Sequence, residues 1–156
     1  MNADTLAAAS ATPDPIDTNL QAARLAVQSV EARCKEAFLP LLNAHGIARV
    51  EIHYDGGGDE GTVGEVHAYD KDGDAALPSI LCDHHSLEYN GQASTRTIAL
   101  EDALAAFAEN AVCARHAGWE DGEGACGTIA IEVASGAVTL THNCRFIDYD
   151  TTEAEI

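Results

Sequence analysis

Hydrophobic residues recur at helical spacing in two segments, residues 18–45 and residues 99–116. In the first segment the apolar positions are Leu20, Ala23, Val27, Val30, Cys34 and Leu41. In the second they are Leu100, Leu104, Phe107, Ala108 and Ala111. A period of three to four residues predicts two amphipathic helices. The first helix is expected to be capped by Asp17 or Thr18 and to end at Gly46.

Elsewhere the period changes to two, which is typical of strands. In residues 47–54, for example, Val50, Ile52 and Tyr54 alternate with polar side chains. The same alternation predicts strands at 62–69, 128–134 and 137–144, which form two hairpins. The signal is weak over residues 70–98, where short strands at 79–82 and at 87–89 or 93–97 are expected around a turn. The predicted fold is α+β, with two helices packed on one face of an antiparallel sheet in the order helix, hairpin, helix, hairpin.

Composition divides the chain into three parts. Residues 1–16 are rich in Ala, Ser, Thr and Pro without a packing period, and we interpret them as a flexible leader. Residues 17–147 are predicted to form a single α+β domain. Residues 148–156 form an acidic tail.

Charge is the most unusual property of the sequence. The chain has 26 Asp and Glu residues against 8 Lys and Arg residues, which gives a formal net charge of -18. Such a charge repels phosphate backbones and anionic lipids, so direct nucleic-acid or membrane binding is not expected. A basic protein is the predicted partner, and a nucleic-acid-binding protein fits that description.

The five cysteines and the apolar runs bear on localisation. The cysteines are odd in number and form no C-x-x-C motif, which is typical of reduced thiols. The sequence shows no secretory signal pattern and no apolar run of membrane-spanning length. A cytoplasmic location is therefore predicted.

Two glycine-rich acidic segments are the candidate partner-binding surface. We call residues 54–61 the glycine turn and residues 116–127 the Trp loop. Their predicted contact residues are Asp55, Asp59, Glu60, Trp119, Glu120, Asp121 and Glu123. An alternative interpretation is structural: the glycines supply positive φ angles in a hairpin loop, and Trp119 covers one end of the core.

The exposed face of the first predicted hairpin carries a candidate metal site at Glu51, His53, Glu65 and His67. If the strands pair His53 with Glu65 and Glu51 with His67, two imidazole–carboxylate couples lie side by side. Such couples can bind a divalent metal or carry out acid–base chemistry. The alternative is a solvated sheet face with ordinary cross-strand pairs.

A second metal motif is less favoured by its geometry. Cys113 and His116, taken with His142 and Cys144, supply the residue types of a Cys2His2 zinc site. Helical phase, however, places Cys113 and His116 on the side of the second helix opposite its apolar stripe. That placement argues against convergence of the four side chains.

Several paired motifs resemble a known family. They are Tyr54-x-Gly56-x-Gly58-Asp59-x-Gly61, His116-x-Gly118-Trp119-Glu120, Gly124-x-x-Gly127 and Leu140-x-His142-Asn143-x-Arg145. Together, over residues 35–147, they resemble a family of small bacterial domains of unknown function. The resemblance implies an origin in plasmids, integrative elements or prophages, and it implies no activity.

These observations favour a non-enzymatic, acidic protein-interaction domain without a cofactor. The sequence has no P-loop, Rossmann fingerprint or nucleophile elbow. A nucleic-acid mimic or an anti-defence or regulatory protein of a mobile element would have this composition. The alternative hypothesis is a metal-binding module or metal-dependent enzyme that uses the His/Glu face.

Overall fold

The computed structural model of the protein describes residue 12 and residues 14–156. Most of the predicted leader, residues 1–16, thus lies outside the described residues. The described elements, in chain order, are α1 (Pro15–Ala44), β1 (Arg49–Gly57), β2 (Glu60–Asp70), β3 (Gly73–Ala75), β4 (Leu81–Leu87), β5 (Ala93–Ala99), α2 (Leu100–Arg115), β6 (Ala125–Glu132) and β7 (Ala137–Cys144). The α+β class and the two helices are confirmed.

The first helix begins earlier than the sequence predicts. The cap is Asp14, whose side chain accepts a hydrogen bond from the backbone N–H of Ile16, so the prediction of Asp17 or Thr18 is wrong. Pro15 follows at the first helical position, where its fixed φ fits and its missing N–H costs nothing. At the other end Gly46 has a φ of 72°, which confirms the predicted left-handed helix stop.

The main sheet has five strands in the order β3-β2-β1-β6-β7, and all of its strand pairs are antiparallel. The central strand β1 therefore pairs with β2, its partner in the first hairpin, and with β6 of the second hairpin. Val50, Ile52 and Tyr54 are buried, as their alternation predicts, and they form the inner face of β1. The first predicted hairpin extends further than expected, because β1 and β2 continue to Gly57 and Glu60.

Residues 81–99 form a separate two-stranded sheet, β4–β5. It packs against α1 and α2, while α2 also contacts β1 and β2. The core between these layers is aliphatic and aromatic. Its largest fully buried side chains are Phe38, Leu42, Ile52, Leu100, Leu104, Ile129, Ile131, Val50 and Val112. Burial of this cluster from water provides the main stabilisation of the fold.

The chain after β7 has no regular secondary structure, and residues 148–156 are exposed. Among the described residues, neither helix has the combination of length and apolar composition needed to cross a membrane.

Candidate functional site

The glycine turn and the Trp loop meet at one end of the main sheet. The tip of the glycine turn has two residues with positive φ, Gly58 at 61° and Asp59 at 65°, as in a tight two-residue hairpin turn. Its backbone N–H groups donate across to the Trp loop: Gly58 N lies 2.8 Å from Gly122 O, and Asp59 N lies 3.0 Å from Glu120 O. The two segments are thus joined by main-chain hydrogen bonds.

Trp119 fills the space between the two segments. It is only 7% exposed, and its ring packs edge-on against Tyr54 with centroids 5.3 Å apart. A Cβ atom added at Gly56 or Gly61 would lie 2.5 Å from the indole, so both glycines are needed for this close approach. The indole covers the end of the core, as the structural interpretation predicts. Burial leaves little of it to serve as a partner-binding anchor.

Two further motif glycines bring backbone segments into contact. A Cβ at Gly124 would overlap the carbonyl oxygen of Gly56, and Gly124 also has a φ of 74°. A Cβ at Gly127 would overlap the carbonyl oxygen of Thr141 and the ring of Tyr54. Both positions therefore require glycine for steric reasons, whatever the function of the site.

Arg145 links the end of β7 to the glycine turn and the Trp loop by hydrogen bonds. Its guanidinium donates to the carbonyl oxygen of Gly56 at 2.8 Å and to a carboxylate oxygen of Asp55 at 2.9 Å. Its backbone N–H donates to the carbonyl oxygen of Gly124 at 3.0 Å. One residue thus connects the glycine turn, the Trp loop and β7. We call the combined surface the acidic edge: the glycine turn, residues 119–124 of the Trp loop, and Arg145.

The acidic edge brings all six predicted loop carboxylates together. Five are exposed: Asp55, Asp59, Glu60, Asp121 and Glu123. The sixth, Glu120, is half-buried, and its Oε2 atom is buried without a hydrogen-bond partner among the described residues. An unmatched buried acceptor is costly, so this position favours the approach of a donor.

Only part of this negative charge is balanced within the described residues. Asp55 forms an ion pair with Arg145, and Asp59 accepts a long hydrogen bond of 3.4 Å from the N–H of Gly122. Glu60, Asp121 and Glu123 form no ion pair within residues 14–156. Three exposed carboxylates therefore remain free for an external cation.

A histidine pair lies beside the acidic edge. The rings of His116 and His142 stack in parallel, with centroids 3.7 Å apart. Nδ1 of His142 lies 2.6 Å from the hydroxyl of Tyr54. Burial, followed by the neighbouring His116, lowers the pKa of His142, and burial raises the pKa of Tyr54. Both histidines line an open cleft of about 590 Å3 together with Arg145 and the exposed Phe146.

His116 departs from the sequence-based prediction. Helical phase placed it away from the core, but α2 ends at Arg115, and His116 has φ -136° and ψ 60°. It therefore no longer follows the helical period, and it turns towards β7. Cys113, which does lie in the helix, is exposed as predicted. The contact between His116 and His142 was missed because it depends on where the helix ends. One sequence feature that pointed to His142 was its place in the same motif as Arg145.

The predicted His/Glu face is also present on the sheet. Glu51 pairs with His67 in register, as expected, but a β-bulge between Ile52 and Tyr54 interrupts the expected pairing of His53 with Glu65. Each imidazole instead lies near a carboxylate of its own strand. The distances are 3.9 Å from His53 Nε2 to Glu51 Oε2 and 3.5 Å from His67 Nε2 to Glu65 Oε2.

The two imidazoles of this face contact each other edge-to-face, with ring centroids 5.6 Å apart. Within the part of the chain that the structure describes, no three His, Cys, Asp or Glu side chains are grouped so as to hold a metal ion. That finding covers both the His/Glu face and the Cys113–His116–His142–Cys144 motif.

The fold and the site define a small α+β protein in which three motif segments form one acidic edge beside a histidine-lined cleft. The chain belongs to a family of unknown function, DUF6878, which matches residues 30–156. No curated protein and no solved structure shows significant similarity to it. The match confirms membership of a family of unknown function. It begins inside α1, so residues 15–29 of that helix lie outside the matched range.

Two histidines with lowered pKa values, the buried His84 and the half-buried His142, predict how stability depends on pH. Burial, with smaller effects of Arg96 and His85, lowers the pKa of His84 below 6.5, and the pKa of His142 is lowered as well. The unfolded chain then takes up protons near pH 6.5 while the folded chain does not. The stability that the neutral histidines contribute to the folded state is therefore fully present above about pH 6.5. We expect the melting temperature to fall as the pH drops below about 6.5.

The measurement is thermal unfolding between neutral and mildly acidic pH, for the wild type and for His84→Gln. The substitution removes one titrating imidazole, so the variant should be less stable at neutral pH and should lose less stability on acidification. An identical slope in both proteins would contradict this account of His84.

Proposed function

We propose that the protein is a non-enzymatic interaction domain that uses the acidic edge to bind a basic protein. The supporting observation is the convergence of six loop carboxylates on one surface, held by main-chain hydrogen bonds and by the side chain of Arg145. A preformed surface loses little conformational freedom on binding, which favours affinity. The alternation of glycines and carboxylates thus has a common explanation: the glycines allow the close approach of the two segments, and five of the six carboxylates are exposed.

The charge of the whole chain supports the same partner. Three cations are already engaged in ion pairs with the chain's own carboxylates: Arg49 with Glu51 and Glu132, Arg115 with Glu31, and Arg145 with Asp55. A formal net charge of -18 attracts a cationic protein over long range and accelerates the encounter. Salt screens this attraction over a Debye length of about 8 Å at physiological ionic strength.

The finer parts of the proposal concern the kind of partner. Proteins that bind nucleic acid do so with cationic surfaces. Such a surface would also bind the acidic edge, which would then act as a nucleic-acid mimic. An anti-defence or regulatory protein of a mobile element would act by occupying the nucleic-acid-binding surface of its partner. All five thiols are free, which supports action in the reducing cytoplasm.

Charge reversal at the acidic edge tests the proposal. Glu60, Asp121 and Glu123 are changed together to Lys, because they are exposed and form no ion pair within residues 14–156. We expect the variant to lose the basic partners that the wild type retains in a pull-down at low salt. The melting temperature should change little, since exposed charges contribute little to stability.

The matched control reverses Asp72, Asp74 and Glu109, which are exposed residues outside the acidic edge. Each reversal adds two units of charge, so both triple variants have a formal net charge of -12 instead of -18. The control should retain the partners, and duplex DNA should compete with them if the edge is a nucleic-acid mimic. Equal loss in both variants would show that net charge alone, not the acidic edge, determines binding.

The second candidate function is metal binding on the His/Glu face. The observation that favours it is the contact between His53 and His67, each with a carboxylate within 4 Å. Rotation of the exposed His53, His67 and Glu65 side chains would bring two imidazoles and a carboxylate to a common Zn²⁺, Mn²⁺ or Ni²⁺ ion. The carboxylate of the half-buried Glu51 also forms an ion pair with Arg49.

Metal addition tests this second candidate on protein purified without a histidine tag. We expect stoichiometric metal and a higher melting temperature with Zn²⁺, because an ion that binds only the folded chain stabilises it. His53→Ala combined with His67→Ala should abolish the increase, whereas the exposed His45→Ala should not. Metal-free protein whose melting temperature responds to neither Zn²⁺ nor EDTA would rule the site out.

A further inference from the structure

The N-terminal half of α1 carries an exposed apolar stripe. Ile16 is 67% exposed and Leu20 is 55% exposed, Ala23 is exposed, and Val27 is half-buried. Their spacing alternates between four and three residues, which is the period of a coiled-coil seam. The same series continues into the core at Val30, which is buried. Among residues 14–156, one stripe is thus covered by the core at its C-terminal end and exposed at its N-terminal end.

This exposed half is a formed helix before any partner arrives. Asp14 and Pro15 cap its first turn, and the residues from Val30 onward anchor it in the core. A partner helix would not have to induce its structure. Docking therefore costs less conformational entropy than the folding of a free peptide would.

Charge distinguishes α1 from the rest of the chain. The helix has three acidic residues, Asp17, Glu31 and Glu36, and three basic residues, Arg24, Arg33 and Lys35. Its formal net charge is zero, so the whole net charge of -18 lies outside it. Two copies of a strongly acidic protein repel each other over most of their surfaces. They repel each other least along α1.

We propose that the stripe is covered by α1 of a second copy of this chain, packed antiparallel to form a dimer with twofold symmetry. The seam then has four layers. Ile16 lies opposite Val27 of the second copy, Leu20 lies opposite its Ala23, and symmetry repeats both layers. In this register Asp17 and Arg24 both flank the seam on the same side, at the position that pairs with itself in an antiparallel pair.

The pairing therefore places Asp17 of each copy next to Arg24 of the other. Two opposite-charge contacts form by symmetry, which fits the twofold interface expected of most homodimers. The overlap of about 14 residues is roughly 20 Å long at 1.5 Å per residue. An interface of this length is small, so the dimer is reversible and depends on concentration.

The first test is the mass of the full chain in solution, measured by light scattering or sedimentation over a concentration series. The wild type should approach twice 16.3 kDa. Leu20→Glu should shift it to the monomer. Leu25→Glu is the matched control, because Leu25 is 58% exposed on the same helix but lies off the seam. It should leave the dimer intact.

The second test is a charge swap that is specific to the antiparallel register. Asp17→Arg alone and Arg24→Asp alone should each weaken the dimer, because each places like charges together. The double variant should restore it. A wild type that stays monomeric, a dimer insensitive to Leu20→Glu, or a double variant weaker than both single variants would overturn the proposal.

If the wild type is monomeric, the same variants test whether the stripe packs against residues of its own chain. If Leu20→Glu then lowered the melting temperature and Leu25→Glu did not, the stripe would be covered by residues of its own chain.

Discussion

Gly124→Ala is expected to destabilise the protein by about 3 kcal/mol or more. The added Cβ would overlap the carbonyl oxygen of Gly56, and the backbone at Gly124 has a φ of 74°, which alanine rarely adopts. The overlapping atom belongs to the main chain, so no side-chain rotation can relieve the contact. The glycine turn and the Trp loop would have to separate. Thermal or denaturant unfolding measures the loss.

Gly122→Ala is the control for this prediction. Gly122 lies in the same loop with a φ of 60°, but nothing lies within 4 Å of an added Cβ. It should therefore cost only the backbone strain of a left-handed alanine, about 1–2 kcal/mol. Equal losses in the two variants would mean that the close approach of Gly124 to Gly56 contributes nothing to stability.

Trp119→Ala should cost about 3–5 kcal/mol, which is the usual range for a buried aromatic residue replaced by alanine. The indole fills the space left by Gly56 and Gly61, and neither glycine has a side chain that could move into the cavity. The loss of stability should be accompanied by loss of partner binding, because the carboxylates on either side would no longer share one surface.

Tyr89→Ala provides the matched aromatic control, since Tyr89 is fully exposed in the turn between β4 and β5. It should change the free energy of unfolding by less than about 0.5 kcal/mol. A Trp119→Ala variant as stable as Tyr89→Ala would refute the covering role of the indole. If Trp119→Ala instead had normal stability but no longer bound the partner, Trp119 would be a partner-binding residue, as the sequence predicts.

The acidic edge was predictable in its composition but not in its construction. The glycine and carboxylate motifs identified the two segments, but the sequence left open whether the fold brings them to one edge. The hydrogen bonds from Gly58 and Asp59 to the Trp loop could not be inferred, because they depend on the length of the β1–β2 hairpin and on the path after α2. The role of Arg145, which belongs to the Leu140–Arg145 motif, could not be inferred for the same reason.

Local patterns determined the elements of this protein. Alternation identified Val50, Ile52 and Tyr54 as an inner face, and helical spacing identified the buried stripe of α2. Such patterns report burial directly, because strand and helix periods fix which side chains share a face. The Asp14-Pro15 pair also indicated a cap at Asp14, but Asp17 and Thr18 are also residue types that cap helices.

The tertiary structure alone decided which of these elements meet. It paired β1 with β6, placed a bulge beside His53, ended α2 before His116, and so brought His116 onto His142. Each outcome depends on contacts between residues far apart in the chain, where a shift of one residue changes the facing side chain. The sequence by itself thus determined the fold class, the negative charge and the motif residues. The packing of strands and loops determined that those residues form a single edge.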